Sequence, residues 1–382
     1  QEYVLLRLTK HKINKLSCPL SICITHNATL LKNLIKGGSM NNNINENDIK
    51  AILSNADIPI IDEDVNYWFL RTYGGENLEN FYFGNYIAIG WDDINDFSLI
   101  TPKQFDTLKN IVKEIYPDDA KPGSTASQLI HFVSDMKPGD YVLIPGANCE
   151  RIAFGIITSD AYIYEPTAEE QFNANFEGIN VGYLKRRNVA WINDAPLERS
   201  SLDPLLKPII YTYGTIVNAN PYSAFINRSI YDLYYRNGEL HSIYNITKSD
   251  NISIYDFYEF INNIFYFLDC YSEISGFEVN KSELSIKASI NSPGPVEIIT
   301  GATSAFIALS ALSIFLNGAH VKFSFNIFNI ASGQININSP GLIDKITKLM
   351  NASTDNNIKL TQSEEKLLDS KNKLKIKKKK HK

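Results

Sequence analysis

The residues of this chain best suited to chemistry are aromatic and basic rather than nucleophilic. Trp91 follows Gly90, so an indole stands beside a position where a backbone or a ligand can approach closely. Trp68 and Tyr73 lie upstream, with Arg71 and Gly75 flanking Tyr73, and Arg186 and Arg187 adjoin each other further on. Such residues can wall a flat heteroaromatic ring, each stack returning roughly 1–3 kcal/mol, and can pair guanidinium with phosphate. The candidates are therefore Trp91, Trp68, Tyr73, Gly90 and Gly75 for a ring, and Arg71, Arg186 and Arg187 for phosphate. Each has a plainer reading. Trp68 and Trp191 suit a core better than a pocket, Trp91 suits either, and the arginine pair also reads as solvated surface. Ser124-Thr125-Ala126-Ser127 offers donors, although Ser127 reads first as a helix cap.

Catalytic constellations are missing from the sequence. A metal-dependent nuclease needs an acidic residue and a Glu-x-Lys on adjacent strands. The nearest string, Glu278-Val279-Asn280-Lys281, has the wrong spacing. There is no phosphate-binding glycine loop ending in Lys-Ser/Thr, no His-Glu-x-x-His and no Gly-x-Ser-x-Gly. His131, His241 and His320 stand far apart, and Cys18, Cys23, Cys149 and Cys270 form no ligand pattern. The expectation is a protein without catalysis of its own, without metal or cofactor, in a reducing cytoplasm.

Charge limits how a polyanion could be held. The chain of 382 residues carries a net charge of −5, yet Lys366–Lys382 alone holds nine Lys against one Asp. The body is acidic, which argues against a broad basic surface and for local contacts through a pocket or the tail.

The elements that must position the candidates follow from texture. Tyr67–Thr72 and Tyr86–Trp91 read as strands, with a Gly74-Gly75 turn between them. Phe105–Tyr116 has helical spacing, and Ser127–Met136 reads as a second helix stopped by Lys137-Pro138-Gly139-Asp140. Tyr141–Ile144, Arg151–Ser159, Tyr162–Tyr164 and Gly182–Ile192 complete a set of strands with inserted helices. Residues 195–210 read as a linker, and 211–350 as a C-terminal mixed helix and strand domain, helical in the second half of Tyr211–Arg236. Ser253 with Asp256 caps a helix whose apolar face runs through Ile254, Phe257, Tyr258, Ile261, Ile264, Phe265 and Leu268. Ile290-Asn291-Ser292-Pro293-Gly294 recurs as Ile337-Asn338-Ser339-Pro340-Gly341, suggesting two related strand–turn units.

Taken in order, several of these pieces resemble a known family. Tyr67-Trp68-Phe69 leads to Gly74-Gly75-Glu76; Ile87-Ala88-Ile89-Gly90-Trp91-Asp92 and Asp96-Phe97 follow. Then come Met136-Lys137-Pro138-Gly139-Asp140-Tyr141-Val142, Ala153-Phe154-Gly155-Ile156-Ile157 and Lys185-Arg186-Arg187-Asn188-Val189-Ala190-Trp191. The block resembles the EVE-like branch of the PUA superfamily, as found at the front of modification-dependent restriction proteins. No single piece is specific, and the resemblance covers about a third of the chain. It implies an α+β fold with a small β-barrel over residues 62–194. It further implies a reader of modified or flipped bases, most simply in DNA, serving defence against foreign DNA beside a separately encoded nuclease or helicase. Homo-oligomerisation through the C-terminal region fits the same picture.

The ends carry their own expectations. Lys36-Gly37-Gly38-Ser39 precedes Met40 and can be spelled by a purine-rich ribosome-binding sequence, so 1–39 reads as a translated leader, or else as a flexible extension. Residues 40–61 add a short helix around Asp48–Asn55. Ala302–Leu316 is apolar or small without a charge. A membrane span needs about 20 such residues, so a buried helix is the first reading and an inserting segment the alternative. Residues 351–382 read as a disordered basic tail, able to bind nucleic acid, meet anionic lipid or simply solubilise.

Overall fold

The structure is a computed structural model that describes residues 58–177, 182–248, 250–275, 279–288, 294–301 and 353–377, together with helical positions 50, 53, 54, 305, 306, 309, 310, 312, 313 and 316. The chain is mixed α+β and forms two compact units. Asp64–Ile230 makes one, and the described residues before it and from Tyr231 to Lys377 make the other. Residues 1–39, expected as a leader or extension, and both copies of the short repeat apart from Gly294 lie outside the described residues.

Strand β1 (Ile60–Ile61) belongs with the C-terminal part, pairing in parallel with Tyr235 and Arg236. The first unit opens with β2 (Tyr67–Leu70), followed by helix α1 (Leu78–Gly84), β3 (Tyr86–Ile89), α2 (Phe105–Ile115) and α3 (Pro122–Ile130). It continues through β4 (Tyr141–Pro145), β5 (Arg151–Ile157), β6 (Tyr162–Ile163), α4 (Ala168–Glu177), β7 (Lys185–Trp191) and β8 (Leu197–Glu198). A short α5 (Lys207–Ile210), β9 (Ile216–Asn218) and α6 (Ser223–Ile230) close it. The strands run in the order β3-β7-β5-β4-β2-β9, with β6 on β7 and β8 on β5, in a sheet curled into a half-barrel. β2 and β4 are parallel. A parallel pair needs a long crossover, and α1, β3, α2 and α3 fill it.

Both faces of β2 are buried. Trp68 and Leu70 face a core with Phe81, Leu108, Val112, Leu129 and Phe132, while Tyr67 and Phe69 point the other way and are equally sealed. A strand buried on both sides reads as a continuous apolar run, as Tyr-Trp-Phe-Leu does. Gly155 faces Trp191 across the ladder, and a Cβ there would lie 2.7 Å from the indole. The missing side chain makes room for the ring.

The expected linker is instead a packed segment. Leu202, Leu206, Ile209 and Ile210 are buried, and a buried ion pair joins Asp203 to Arg228 at 2.7 Å. The Tyr67 hydroxyl donates to Asn227 at 3.0 Å. Proline punctuation in 195–210 marks short 3₁₀ turns laid against the unit rather than free chain. The boundary between units falls after Ile230. Ser127 also differs from expectation. Pro122 begins α3, so Ser127 sits within the helix and its hydroxyl donates to the Gly123 carbonyl at 3.0 Å.

In the second unit, β10 (Leu233–Arg236), β11 (Glu239–Ile246), α7 (Ile254–Ser275), β12 (Leu284–Ala288), β13 (Gly294–Thr300), α8 (Ser353–Leu374) and β14 (Ile376–Lys377) follow. The sheet order is β1-β10-β11-β13-β12, with β14 on β11. The core joins Leu240, Tyr244, Val296 and Ile298 to Phe260, Ile264, Phe267 and Leu367. The described part of 302–316 belongs to it: Ala305, Phe306, Leu309, Leu312 and Leu316 are buried. No helix among the described residues is long and apolar enough to cross a membrane.

Two expectations are corrected here. Within the expected tail, Ser353–Leu374 is helix and Ile376–Lys377 strand, and the burial of Leu367, Leu374 and Ile376 offsets the cost of fixing the chain. Ile254 and Tyr258, assigned to the buried face of α7, are 89% and 62% exposed. That helix is apolar nearly all round, so spacing alone could not choose which stripe the sheet and α8 would cover.

Candidate functional site

Three loops of the first unit meet at one corner. Each presents an aromatic residue with left-handed backbone: Tyr73 (φ 53°), Trp91 (φ 58°) and Tyr183 (φ 60°). Bulky side chains rarely adopt this region, and doing so costs on the order of 1–3 kcal/mol per residue. Such a residue persists only where its surroundings hold it.

Local chemistry explains how each is held. In the turn after β2, the N–H groups of Gly75 and Asn77 donate to the Thr72 carbonyl at 3.2 and 3.1 Å. Gly75 has φ 101°, and a Cβ on it would lie 2.0 Å from the backbone nitrogen of Ala147. Only glycine lets this turn press on the 145–149 turn, which leaves Tyr73 facing outward and 70% exposed. After β3, the Trp91 carbonyl accepts from the N–H of Ile94 at 3.1 Å and from Lys185 Nζ at 2.8 Å. The Trp91 ring is half-buried against the core, and a Cβ on Gly90 beside it would meet nothing within 4 Å.

Asp92 and Lys185 form the clasp between these loops. The two carboxylate oxygens of Asp92 accept the backbone N–H groups of Tyr183 and Leu184, each at 2.9 Å. Lys185 Nζ is fully buried, 3.7 Å from Asp92 Oδ1 and 3.2 Å from Asn95 Oδ1. Burial pulls its pKa below the ordinary lysine value, while the Asp92 carboxylate opposes that shift. Tyr183 sets its ring edge to Phe81 at 5.9 Å, and its hydroxyl is hydrogen-bonded by Asn77 and lies within electrostatic reach of Tyr73. Burial pushes that hydroxyl upward in pKa. The corner therefore joins Tyr73, Gly75, Gly90 and Trp91 through residues that had not been singled out from the sequence: Tyr183, Asp92, Lys185 and Asn77. On β7 Lys185, Arg186 and Arg187 are all buried, although the run reads as basic surface in the sequence.

The remaining candidates work within the protein. Trp68 is 4% exposed, and its Nε1 donates to Asp140 Oδ2 at 2.9 Å. The same carboxylate accepts from the N–H of Lys137 at 3.0 Å and of Asn66 at 2.9 Å, so it ties the Lys-Pro-Gly-Asp turn to the start of β2. Trp68 is thus a core residue away from the corner. Arg187, 1% exposed, donates to the carbonyls of Phe132 and Val133 at 2.7 and 3.0 Å, and to that of Ser159 at 2.9 Å. A single wide turn, His131–Asp135, ends this helix, and Arg187 satisfies its free carbonyls. Burial pulls the guanidinium down to about 10.

Arg186 is packed between the rings of Tyr86 and Tyr164, 4.2 and 3.4 Å from their centroids, and its Nε donates to the Tyr183 carbonyl at 3.1 Å. It supports the corner from behind. Arg71 Nη2 donates to the carbonyls of Ile210 and Thr212. To meet phosphate, each of these three arginines would have to surrender contacts that hold loops of its own unit. Among the described residues, no group of three or more His, Cys, Asp or Glu could hold a metal ion.

A family model described as a domain of unknown function (DUF8426) matches residues 71–205, from the end of β2 to the 3₁₀ turns after β8. No curated protein and no solved structure matches the chain.

Proposed function

We propose that the Asp64–Ile230 unit reads nucleic acid by receiving one extruded base at the corner of Trp91, Tyr183 and Tyr73. The observation that supports this most is the convergence of three aromatic residues, all in a strained backbone, around a carboxylate–lysine clasp. Tyr73 is largely exposed and Trp91 and Tyr183 are only half-buried, so each ring keeps part of its surface open to a ligand. Prebuilt aromatic walls suit a ligand that gains from stacking. Extrusion of a base costs a few kcal/mol, and two stacked faces return a comparable amount at roughly 1–3 kcal/mol each. The Tyr73 and Tyr183 hydroxyls and the Asn77 amide are the polar groups at hand for the edge of the base.

On this reading the half-barrel is a variant of the EVE-like fold, its ligand a modified base in DNA, and its setting defence in the cytoplasm. The protein itself performs no reaction; a nuclease or helicase partner supplies the chemistry. Gel-shift titrations with matched modified and unmodified duplexes test it. Tighter binding to a modified duplex, lost in Trp91→Ala and Tyr183→Ala, supports the reading. Equal affinity for every duplex, unmoved by Trp91→Ala, sinks it.

A further inference from the structure

The second unit carries an exposed surface that the aromatic corner does not use. At the start of α7, Ile254, Tyr255 and Tyr258 are 89%, 65% and 62% exposed. The end of α8 lies alongside: Lys373 Nζ reaches Glu259 Oε2 at 2.9 Å, and Asn263 Nδ2 reaches Ser370 Oγ at 3.0 Å. The exposed rings therefore stand next to the place where lysines alternate along the chain at 371, 373, 375 and 377.

The fold fixes that basic stretch. Lys375 turns the helix into β14 through a left-handed backbone (φ 51°), and its carbonyl accepts the Thr247 hydroxyl at 2.7 Å. Ile376 is buried, and β14 is paired with Asn245 and Ile246 of β11. Lys375 and Lys377 are consequently exposed on either side of an anchored apolar residue.

We propose that this surface grips single-stranded nucleic acid, with Lys375 and Lys377 on phosphates and the rings of Tyr255 and Tyr258 on unpaired bases. Cationic side chains beside exposed aromatic faces are what a base-tolerant single-strand site requires. The first unit is poorly suited to supply the grip. Residues 64–230 hold 21 acidic against 13 basic side chains, and Arg71, Arg186 and Arg187 are engaged within the unit. An anionic bilayer fits the surface less well. Tyr255 is hydrogen-bonded to Glu259, and Asp369 and Asp256 stand in the same patch, so insertion would carry carboxylates toward anionic headgroups. The ring faces can stack without moving those groups. The proposal shares only its polymer class with the base-reading corner.

The test uses the full chain and an unmodified thymidine homopolymer of about 20 nucleotides, followed by fluorescence anisotropy over a salt series. Lys375→Gln with Lys377→Gln should lower the slope of log K against log salt by about 1.4, at roughly 0.7 per phosphate contact. Tyr255→Ala with Tyr258→Ala should weaken binding at least about thirtyfold and leave the slope unchanged. Because all four side chains are exposed, circular dichroism should show the variants folded. Absence of binding by the unaltered chain overturns the proposal, as do variants with unchanged affinity and slope. Phosphatidylserine vesicles whose binding is lost with the same substitutions, while the oligonucleotide still binds, identify a membrane surface instead and also overturn it. The two surfaces are separated by their readouts: lost discrimination between modified and unmodified duplexes in Trp91→Ala reports on the base-reading corner, whereas the change in salt slope on Lys375→Gln with Lys377→Gln reports on this surface alone.

Discussion

The ammonium of Lys185 lies 2.8 Å from the carbonyl oxygen of Trp91. That bond crosses from β7 to the loop after β3 and fixes the peptide following a residue whose backbone is strained. Asp92, the next residue, binds the N–H groups of Tyr183 and Leu184, so both aromatic loops are held by one ion-paired unit. The corner is thus held by bonds within its own unit, the preorganisation that the proposed stacking of a flat ring would draw on.

Lys185→Met keeps the length of the side chain and removes its donors. The Trp91 carbonyl and Asn95 Oδ1 then lose a buried partner. The expected cost is about 2 kcal/mol, read as a lower midpoint in urea unfolding. Near-ultraviolet dichroism of Trp91 should weaken as its loop relaxes.

Gly75→Ala should destabilise by about 2 kcal/mol or more, because φ 101° disfavours a side chain and the new Cβ would strike Ala147. Gly74→Ala carries the strained φ of 69° without a neighbour within 4 Å, and should cost less. Equal losses for the two would mean that close approach to the 145–149 turn is unimportant.

Asp203→Ala leaves the buried Arg228 guanidinium without the carboxylate 2.7 Å away. A loss of about 3 kcal/mol is expected. Limited proteolysis of the intact protein should also spare residues 195–210, and rapid cleavage there would show the segment to be a linker after all.

Alkaline titration should report on Tyr116, which ties α2 to the aromatic corner by donating to Asp93 Oδ2 at 3.0 Å. Burial pushes its hydroxyl up to about 12. The folded state therefore keeps a proton that the unfolded state releases near the ordinary value of about 10. This contribution to stability is complete below pH 10 and is lost as the pH rises from about 10 to about 12. Tyr116→Phe should lose one tyrosine's share of the late-titrating tyrosinate absorbance, the rest belonging to other raised hydroxyls such as Tyr183 and Tyr244.

Local texture carried much of the secondary structure. Strands at Tyr67, Tyr86, Tyr141, Arg151 and Lys185, and the helix from Phe105, fall within a few residues of their expected bounds. Helices α1 and α4 were not anticipated: in α1 Leu78, Phe81 and Tyr82 do have helical spacing, but over only seven residues, and Ala-Glu-Glu-Gln-Phe-Asn-Ala-Asn-Phe-Glu in α4 has few apolar positions to repeat. Of the expected ring-binding set, Tyr73, Gly75, Gly90 and Trp91 share a corner while Trp68 does not.

The sequence by itself determined where strands and turns lie, that the body is acidic, and that aromatic side chains outnumber any nucleophile suited to catalysis. Those properties depend on neighbours along the chain and on composition. Tertiary structure alone decided that Arg187 serves helix carbonyls, that Lys185 is sealed beside Asp92, that residues 195–210 are packed, and that the lysine-rich end is pinned at Ile376. A charged side chain has the same local signature whether it meets water or a carbonyl 50 residues away. Only the folded chain determines which of the two lies within hydrogen-bonding reach.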